Sequence, residues 1–563
     1  MYMSSRLIPI AVMALVFSPA TALAAWSNDG FAVAWAAEQQ IYPVITSDGT
    51  GGAIIAWQDG RSGNFNIYAQ RINQNGVAMW LPNGVAVCTA VDDQVAPQII
   101  SDGAGGAIVA WYDFRNGTDN NIYARRIDST GVPQWTADGV VVCNATDDQA
   151  NVIMTPDGSG GAILAWDDAR NGIDYNEYIQ RVDATGARLY APNGVALCTA
   201  AGNQFASALV PNGTGAAILV WYDYRNGFDA DVYAQRVNSI GGVSWAADGV
   251  ALGATTGDQD SPTAASDGTG GAIVAWEDTR GGTYDVYAQH VNSTGSLLWT
   301  INGVSVCGAA NNQQFPTITT DGAGGAIVSW QDARNGSNAL DIYSQRLNGV
   351  GAAQWTNNGV VLCSAAANQD HPIITTDGNG GAIVVWNDGR NGNPDIFSQR
   401  VNASGVTQWT TDGQVVANAT AKQAFPALTS VAGGGAIFTW QDFRDDTKGD
   451  IYAARLTGTG STPTGVPGAT PSFIALGDNR PNPFSSTTTF DLTLDHESNV
   501  SVDVYDVAGH RVRSMAMRSM SAGASMLQFD GRDDTSRDLP SGVYFFRLRA
   551  NGETITRKMV LAR

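Results

Sequence analysis

The stretch Gly105 to Gly117, GGAIVAWYDFRNG, constrains this chain more than any other, because the chain repeats it in variant form eight times. Its tryptophan recurs at Trp57, Trp111, Trp166, Trp221, Trp276, Trp330, Trp386 and Trp440, in steps of 54, 55, 55, 55, 54, 56 and 54 residues. A fixed period of this length marks a repeat architecture, in which each unit is one supersecondary element and neighbours complete its core.

One unit reads from Gln94 to Asp148. Ala96 to Ser101 forms a short strand and Asp102 to Gly106 a glycine-rich turn. Ala107 to Trp111 is a nearly continuous apolar strand, Asp113 to Gly117 turns the chain, and Asn121 to Ile127 alternates as a half-buried strand does. After Ser129-Thr130-Gly131, Trp135 leads into a fourth strand, Gly139 to Cys143. Four short strands with regular turn signals in about 55 residues match one blade of a β-propeller. With 15% charged residues and 65 glycines, the composition also favours a turn-rich β protein.

The array is cut inside a unit. It opens at Trp26 with WSNDGFAVA, a fourth-strand segment without the preceding three, and it stops at Ile451 to Leu456, a third strand without its fourth. An open solenoid gains nothing from such a cut, whereas a ring closes when the first strand completes the last blade. The expected fold is all-β: an eight-bladed β-propeller over residues 25–456, its last blade closed by the N-terminal strand, followed by a second domain.

Ahead of the array, Arg6, the apolar run Leu7 to Phe17 and Ala22-Leu23-Ala24 read as a secretory signal peptide over residues 1–24. No other stretch is apolar enough to span a membrane, so the mature chain is expected to be secreted or on the outer cell surface, with no transmembrane segment. A net charge of −21 disfavours nucleic acid as a partner. The five cysteines, Cys88, Cys143, Cys198, Cys307 and Cys363, occupy one position in successive units, where other units have Ala34, Gly253 and Ala417. They are expected to be buried free thiols, because equivalent positions in neighbouring units lie beyond disulfide reach.

Two sets of residues recur in every unit. An Asp and an Arg follow the Trp by two and four positions: Asp59/Arg61, Asp113/Arg115, Asp168/Arg170, Asp223/Arg225, Asp278/Arg280, Asp332/Arg334, Asp388/Arg390 and Asp442/Arg444. Eightfold recurrence favours an ion pair that fixes each turn and joins neighbouring units over a ring of ligand-binding charges. A Gln recurs at Gln40, Gln94, Gln149, Gln204, Gln259, Gln313, Gln369 and Gln423, usually three residues before a Pro. It reads as a blade-to-blade tie, since one amide both donates and accepts; a channel-lining ligand contact is the alternative.

No constellation points to catalysis. Only four histidines occur, His290, His371, His496 and His510, in no metal-ligand spacing, and P-loop, nucleophile-elbow and CxxC patterns are absent. One active site cannot be eightfold, and the departures from the repeat are modest: His290 for Arg, His371 before Pro372, and Tyr190 for Trp. No catalytic, cofactor or metal residue is assigned. Calcium is the one cofactor considered, for loops such as Asn116 to Asp119 and Asn226 to Asp229, where ordinary turn chemistry is the alternative.

Thr457 to Pro471 is rich in Gly, Thr and Pro, and marks a linker at 457–472 before a domain at 473–563. Strand-like runs there at 488–494, 500–506, 526–529, 543–549 and 553–561 argue a small β-sandwich. Asn479-Arg480-Pro481-Asn482-Pro483-Phe484, Val504 to Gly509, Leu539 to Tyr544 and Lys558-Met559-Val560-Leu561 stand in the order found in FlgD-like Ig, or type IX secretion "type A" sorting, domains, which this tail resembles. The resemblance implies an Ig-like sandwich that acts as an export or surface-attachment signal, read by the secretion machinery through Lys558, Met559, Val560 and Leu561. The repeats resemble the GGAIVAWxDxR regions found beside such domains. The functional expectation is a non-catalytic binding or adhesion module for an extracellular glycan or protein. A secreted carbohydrate-active enzyme with an Asp-lined face and a structural surface-layer component are the rival classes.

Overall fold

The computed structural model describes residues 26–463 except 337–338 and 446, and residues 474–563 except 477–478, 495–497, 508, 522 and 551–552. The signal peptide read at 1–24 and most of the linker lie outside the described residues. Among the described residues every regular element is a strand.

Residues 31–456 form eight four-stranded antiparallel sheets. In the second unit the strands are Gln94–Ser101, Ala107–Asp113, Asn121–Ile127 and Val140–Cys143, in sequence order. The second strand is buried along its whole length in most units because it lies between two neighbouring sheets; Ala107 to Trp111 are all 0% exposed. This explains its unbroken apolar run, where a half-solvated strand would alternate. The glycine opening the fourth strand is equally constrained. Gly139 has φ +93°, and a Cβ there would lie 2.6 Å from Cη2 of Trp111.

The eighth sheet is composite. Phe31–Ala34 pairs antiparallel with Asp450–Leu456, Phe31 opposite Ala453 and Ala32 opposite Tyr452. The first strand of each sheet packs on the first strand of the next, and Gln40–Ser47 packs on Gln423–Val431, so the series returns to its start. Outer aromatics bind the sheets sideways. The indole of Trp80 donates to Ser129 O in the next unit and that of Trp135 to Ala184 O; Tyr190 uses its hydroxyl towards Asn238 O. Trp26 does the same across the closure, to Gln74 O at 2.9 Å.

The tail holds a three-stranded sheet (Ile474–Leu476, Thr488–Leu494, Gly523–Phe529) and a four-stranded one (Arg511–Met520, Ser498–Tyr505, Gly542–Ala550, Glu553–Leu561). Phe490 stacks on Phe546 with ring centroids 3.9 Å apart in their shared core. Two of these strands escape sequence reading: Ile474–Leu476 is very short, and Arg511–Met520 is built of Arg, Met and Ser, which carry little β signal. Lys558 to Leu561 lie in the last strand, with Met559 and Leu561 buried. Phe484 N donates to Val560 O and Ala562 N to Phe484 O, so the Asn482-Pro483-Phe484 segment covers the outer edge of that strand.

The five cysteines are free and buried. Burial pushes each thiol up to about 12, despite an arginine nearby. One residue breaks the core pattern. Glu177 is 0% exposed, and neither carboxyl oxygen has a hydrogen-bond partner. Its seven equivalents are Ile67, Ile122, Val232, Val286, Ile342, Ile396 and Ile451, all fully buried. Across the ladder stands Asp167, itself buried. Burial, and then the neighbouring carboxylates Asp167 and Asp223, push Glu177 far above the usual range; burial also raises Asp167.

Two outcomes follow from this interior. A thiol reagent should label none of the five cysteines in the native protein and all five in denaturant; rapid native labelling would contradict their burial. For Glu177, the folded state favours the neutral acid, so the stabilisation is complete below the unfolded pKa of about 4 and is lost as pH rises through the raised folded value. The loss amounts to at most about 1.4 kcal/mol per pH unit for each such group. Glu177→Ile should therefore raise the melting temperature more at pH 8 than at pH 4.5. Equal gains at both pH values would show that the carboxyl is not held neutral.

Candidate functional site

The recurrent Asp and Arg form eight separate ion pairs, with N···O distances of 2.5–2.6 Å. Asp113 shows the pattern. It accepts hydrogen bonds from Trp111 Nε1 at 2.8 Å, from the amide of Arg115 at 3.0 Å and from Arg115 Nε at 2.6 Å. Arg115 Nη2 reaches Asp138 O, ahead of the outer strand of its own sheet, and lies 3.4 Å from Cys88 Sγ of the preceding unit. Its guanidinium lies 3.8 Å from the centroid of the Tyr123 ring. The carboxylates are 0% exposed in nearly every unit, so this set is spent on geometry rather than offered to a ligand.

The expectation that each pair also joins neighbouring units needs correction at Arg61, Arg280 and Arg444. The contact to the preceding unit is the one between arginine and thiol, made by Arg115, Arg170, Arg225, Arg334 and Arg390. Where Arg61, Arg280 and Arg444 stand, the preceding units carry Ala34, Gly253 and Ala417, which offer no sulfur. Arg61 and Arg280 therefore work within their own sheets. Arg61 Nη2 donates to Asn83 O at 2.7 Å and Arg280 Nη2 to Asn302 O at 2.8 Å, and each guanidinium lies 3.9 Å from its tyrosine, Tyr68 or Tyr287. Fixing the turn is thus common to all eight pairs, and reaching across the seam belongs to five.

A second set, at the opposite ends of the strands, is invisible to local sequence reading. Asp48, in the glycine-rich turn, pairs with Arg71 at 2.9 Å, and Arg71 Nη1 donates to Ser129 O of the next unit. The pairing recurs as Asp102/Arg126, Asp157/Arg181, Asp321/Arg346 and Asp377/Arg400. His290, which replaces the Arg, still binds its acid, Asp267, at 2.9 Å.

The glutamine side chains do not tie unit to unit as their sequence suggests, although each Gln does so through its backbone amide, as Gln94 N donates to Phe65 O of the preceding unit. Gln94 Nε2 donates to Val91 O and Asp92 O of its own loop, and the equivalents behave alike; most of their Oε1 atoms are buried without a partner. Side-chain crossing bonds come, in five units, from the residue after the Trp. Gln58 Oε1 accepts from Ala96 N, Tyr112 Oη from Val152 N, Asp167 Oδ1 from Ala206 N, Glu277 Oε1 from Phe315 N and Gln331 Oε1 from His371 N, each in the next unit. An amide compact enough to fold back satisfies its own turn, whereas the residue after the Trp projects across the seam.

These crossing bonds end on or beside a bulge in the first strand, two residues after each Gln. The bulge residue is Tyr42, Ala96, Asn151, Ala206, Ser261, Phe315, His371 or Phe425. Seven of the eight have positive φ, including 52° at Tyr42, 52° at Phe315 and 53° at Phe425, a costly conformation for bulky residues. Bulges re-aim side chains, and here they turn them out of the sheet. Tyr42, Phe315, His371 and Phe425 line a cavity of about 1370 Å³ bounded by first strands. Tyr42 and Phe425 meet edge-on at 5.1 Å, and Phe315 and His371 tilt together at 4.6 Å. Tyr42 is 47% exposed, Phe315 43% and Phe425 47%. The aromatics occupy the sixth, seventh, eighth and first units, consecutive because Gln40–Ser47 packs on Gln423–Val431, and the small residues occupy the other four.

Polar groups stand beside the rings. Asp370 Oδ1 bonds His371 Nδ1 at 2.9 Å and accepts from Asn387 Nδ2 at 3.1 Å. Burial alone would raise Asp370, but those two bonds outweigh it and hold the carboxyl below its usual value, while the same contact raises His371. Burial pushes Glu277 up to about 7, and Asp260, its cross-strand neighbour, is raised by the same cause. Among the described residues no group of three or more His, Cys, Asp or Glu is placed to hold a metal ion. Asn116 and Asn226, considered for calcium, accept from the amides of their own turns. No helix among the described residues is long and apolar enough to cross a membrane.

Sequence reading singled out His371 but missed Tyr42, Phe315 and Phe425. Aligning the eight units at the second position after the Gln would have exposed all four.

Comparison with known proteins supports one assignment. No curated protein matches the chain. Similar solved structures include an ulvan lyase, 11% identical, covering 68% of this chain and 96% of that one at a TM-score of 0.40. A protein of unknown function from Dyadobacter fermentans is 10% identical, with 66% and 98% covered and a TM-score of 0.35. PorZ, a surface component of the type IX secretion system of Porphyromonas gingivalis, is 11% identical, with 91% and 74% covered and a TM-score of 0.29. Residues 480–553 match the FlgD Ig-like domain family, and the C-terminal part of the chain is a domain of that kind.

Proposed function

We propose that this is a secreted or outer-surface bacterial protein whose repeats form an eight-bladed β-propeller over residues 25–456, following a signal peptide at 1–24. A linker at 457–472 joins it to a domain at 473–563 that serves as the sorting signal, with Lys558 to Leu561 in the strand read by the secretion machinery. The propeller is a non-catalytic binding module, and its ligand is a saccharide held at the mouth of the central cavity.

One observation carries the saccharide reading: Tyr42, Phe315, His371 and Phe425 are exposed side by side in a cavity of about 1370 Å³, on strained backbone, where the other four units place small residues. Aromatic faces are electron-rich and attract the weakly positive C–H face of a sugar ring. Neighbouring Asp370 and Asn387 can bond its hydroxyls, giving an apolar wall with a few convergent polar groups. A hydrolase or lyase reading draws on the Asp260–Glu277 pair, since a carboxyl near pH 7 suits general acid–base work. Glu277, however, is only 3% exposed and is occupied with the Phe315 amide and the Gln314 side chain.

Titration of the mature chain with neutral and acidic oligosaccharides tests this. Tyr42→Ala and Phe425→Ala should each weaken binding about tenfold, or ~1.4 kcal/mol, and barely change the melting temperature of the free protein. Unchanged affinity would remove the site from the cavity. Shortened products would favour the enzyme reading, and ordered self-assembly with no saccharide bound would favour a surface-layer component.

A further inference from the structure

The position just before each Gln has a structural duty in six units. Asp93, Asp148, Asn203, Asp258, Asn312 and Asn368 each accept a hydrogen bond from a loop amide of the preceding unit, at 2.8–3.3 Å. Those donors are the amides of Phe65, Asn120, Tyr175, Ala230, Tyr284 and Leu340. In the eighth unit the position is Lys422, which has no acceptor atom. The donor has vanished with it. The residue equivalent to Leu340 is Pro394, whose carbonyl accepts from Gln423 N just as Leu340 O accepts from Gln369 N. Proline carries no N–H, so nothing is left unsatisfied.

Lys422 therefore stands at this position free of its usual task. It lines the cavity that also holds Phe425, Tyr42 and Phe315. Its Nζ lies 5.8 Å from the centroid of Phe425 and 5.7 Å from that of Phe443, and among the described residues it contacts no carboxylate. The chain has only three lysines; of the others, Lys448 is paired with Glu38 at 2.8 Å and Lys558 lies in the tail. In a chain of net charge −21, a cation without a carboxylate partner at the rim of the aromatic cavity is the unusual charge.

We propose that the cavity selects an acidic saccharide, a uronate or a sulfate ester, whose rings lie on Tyr42, Phe425 and Phe315 and whose anion meets Lys422. This rests on the saccharide reading above and narrows it. The overall negative charge does not prevent it, because charges more than about 8 Å away are largely screened at physiological ionic strength, and the carboxylates that line the cavity are paired, Asp370 with His371 and Asp388 with Arg390.

The test compares matched pairs of probes: oligogalacturonates with their methyl esters, and chondroitin sulfate oligosaccharides with desulfated ones, titrated calorimetrically into the mature protein. The acidic member of at least one pair should bind at least tenfold tighter. Lys422→Gln should abolish that preference without weakening the neutral member, and Lys422→Arg should retain it. Equal affinity within both pairs, or an acidic preference that survives Lys422→Gln, overturns the role of Lys422 while leaving saccharide binding intact. If neither member of either pair binds, and Tyr42→Ala and Phe425→Ala change no signal, the saccharide reading itself fails.

Discussion

A carboxylate shut away from water sits at the centre of every unit, and the surrounding geometry follows from the need to balance it. Asp113 draws in the indole N–H of Trp111 and both the backbone and the side chain of Arg115. The arginine's Nη2 also donates to the carbonyl of Asp138, which fixes where the outer strand begins. There the Trp111 ring leaves no room for a Cβ at Gly139. Tryptophan, acid, arginine and glycine are one linked set rather than four separate preferences. Each unit must keep all of them together, since an ion pair deprived of one partner leaves a charge stranded in the interior. The thiol is the dispensable neighbour: Arg61 and Arg280 hold the same geometry beside Ala34 and Gly253.

That linkage is why so much of the chain could be read in advance. The apolar second strand, the alternating third and the turn residues between them all mark their positions directly, and Asn121–Ile127 falls where the pattern puts it. What escaped depends on distance or on choice of partner. Asp48 and Arg71 lie 23 residues apart and meet only because two hairpins fold back. Gln94 could have bonded in either direction, and the loop, not the residue type, decides that it turns inward. The cavity aromatics escaped for another reason: a motif averaged over eight copies suppresses the one column that differs.

Uniformity and variation are thus divided by position. Side chains of the Trp, Asp, Arg and Gly set are nearly constant, while those that project across the seam after the Trp range from Gln58 to Tyr112 and Glu277, and those turned out by the first-strand bulge range from Ala96 to Phe315. The bulge backbone itself is held in place by a crossing hydrogen bond from the neighbouring unit. The side chain at its tip can therefore change without disturbing the frame. Glu177 is a variation of another kind, a carboxyl placed where every other unit buries Ile or Val.

The composite sheet sets an order of events. Asp29 receives Arg444 across 415 residues of sequence, and Phe31–Ala34 finds its ladder only on Asp450–Leu456. A chain appearing from its N-terminus carries that first strand unmatched until nearly all the repeats have followed. Joining such distant segments costs little extra entropy per added residue, but it waits for length and slows folding. Completion of the composite sheet is therefore a report of arrival: a thread that is still emerging, or has been cut short before residue 450, leaves Phe31–Ala34 without its ladder, and only the full array can supply it.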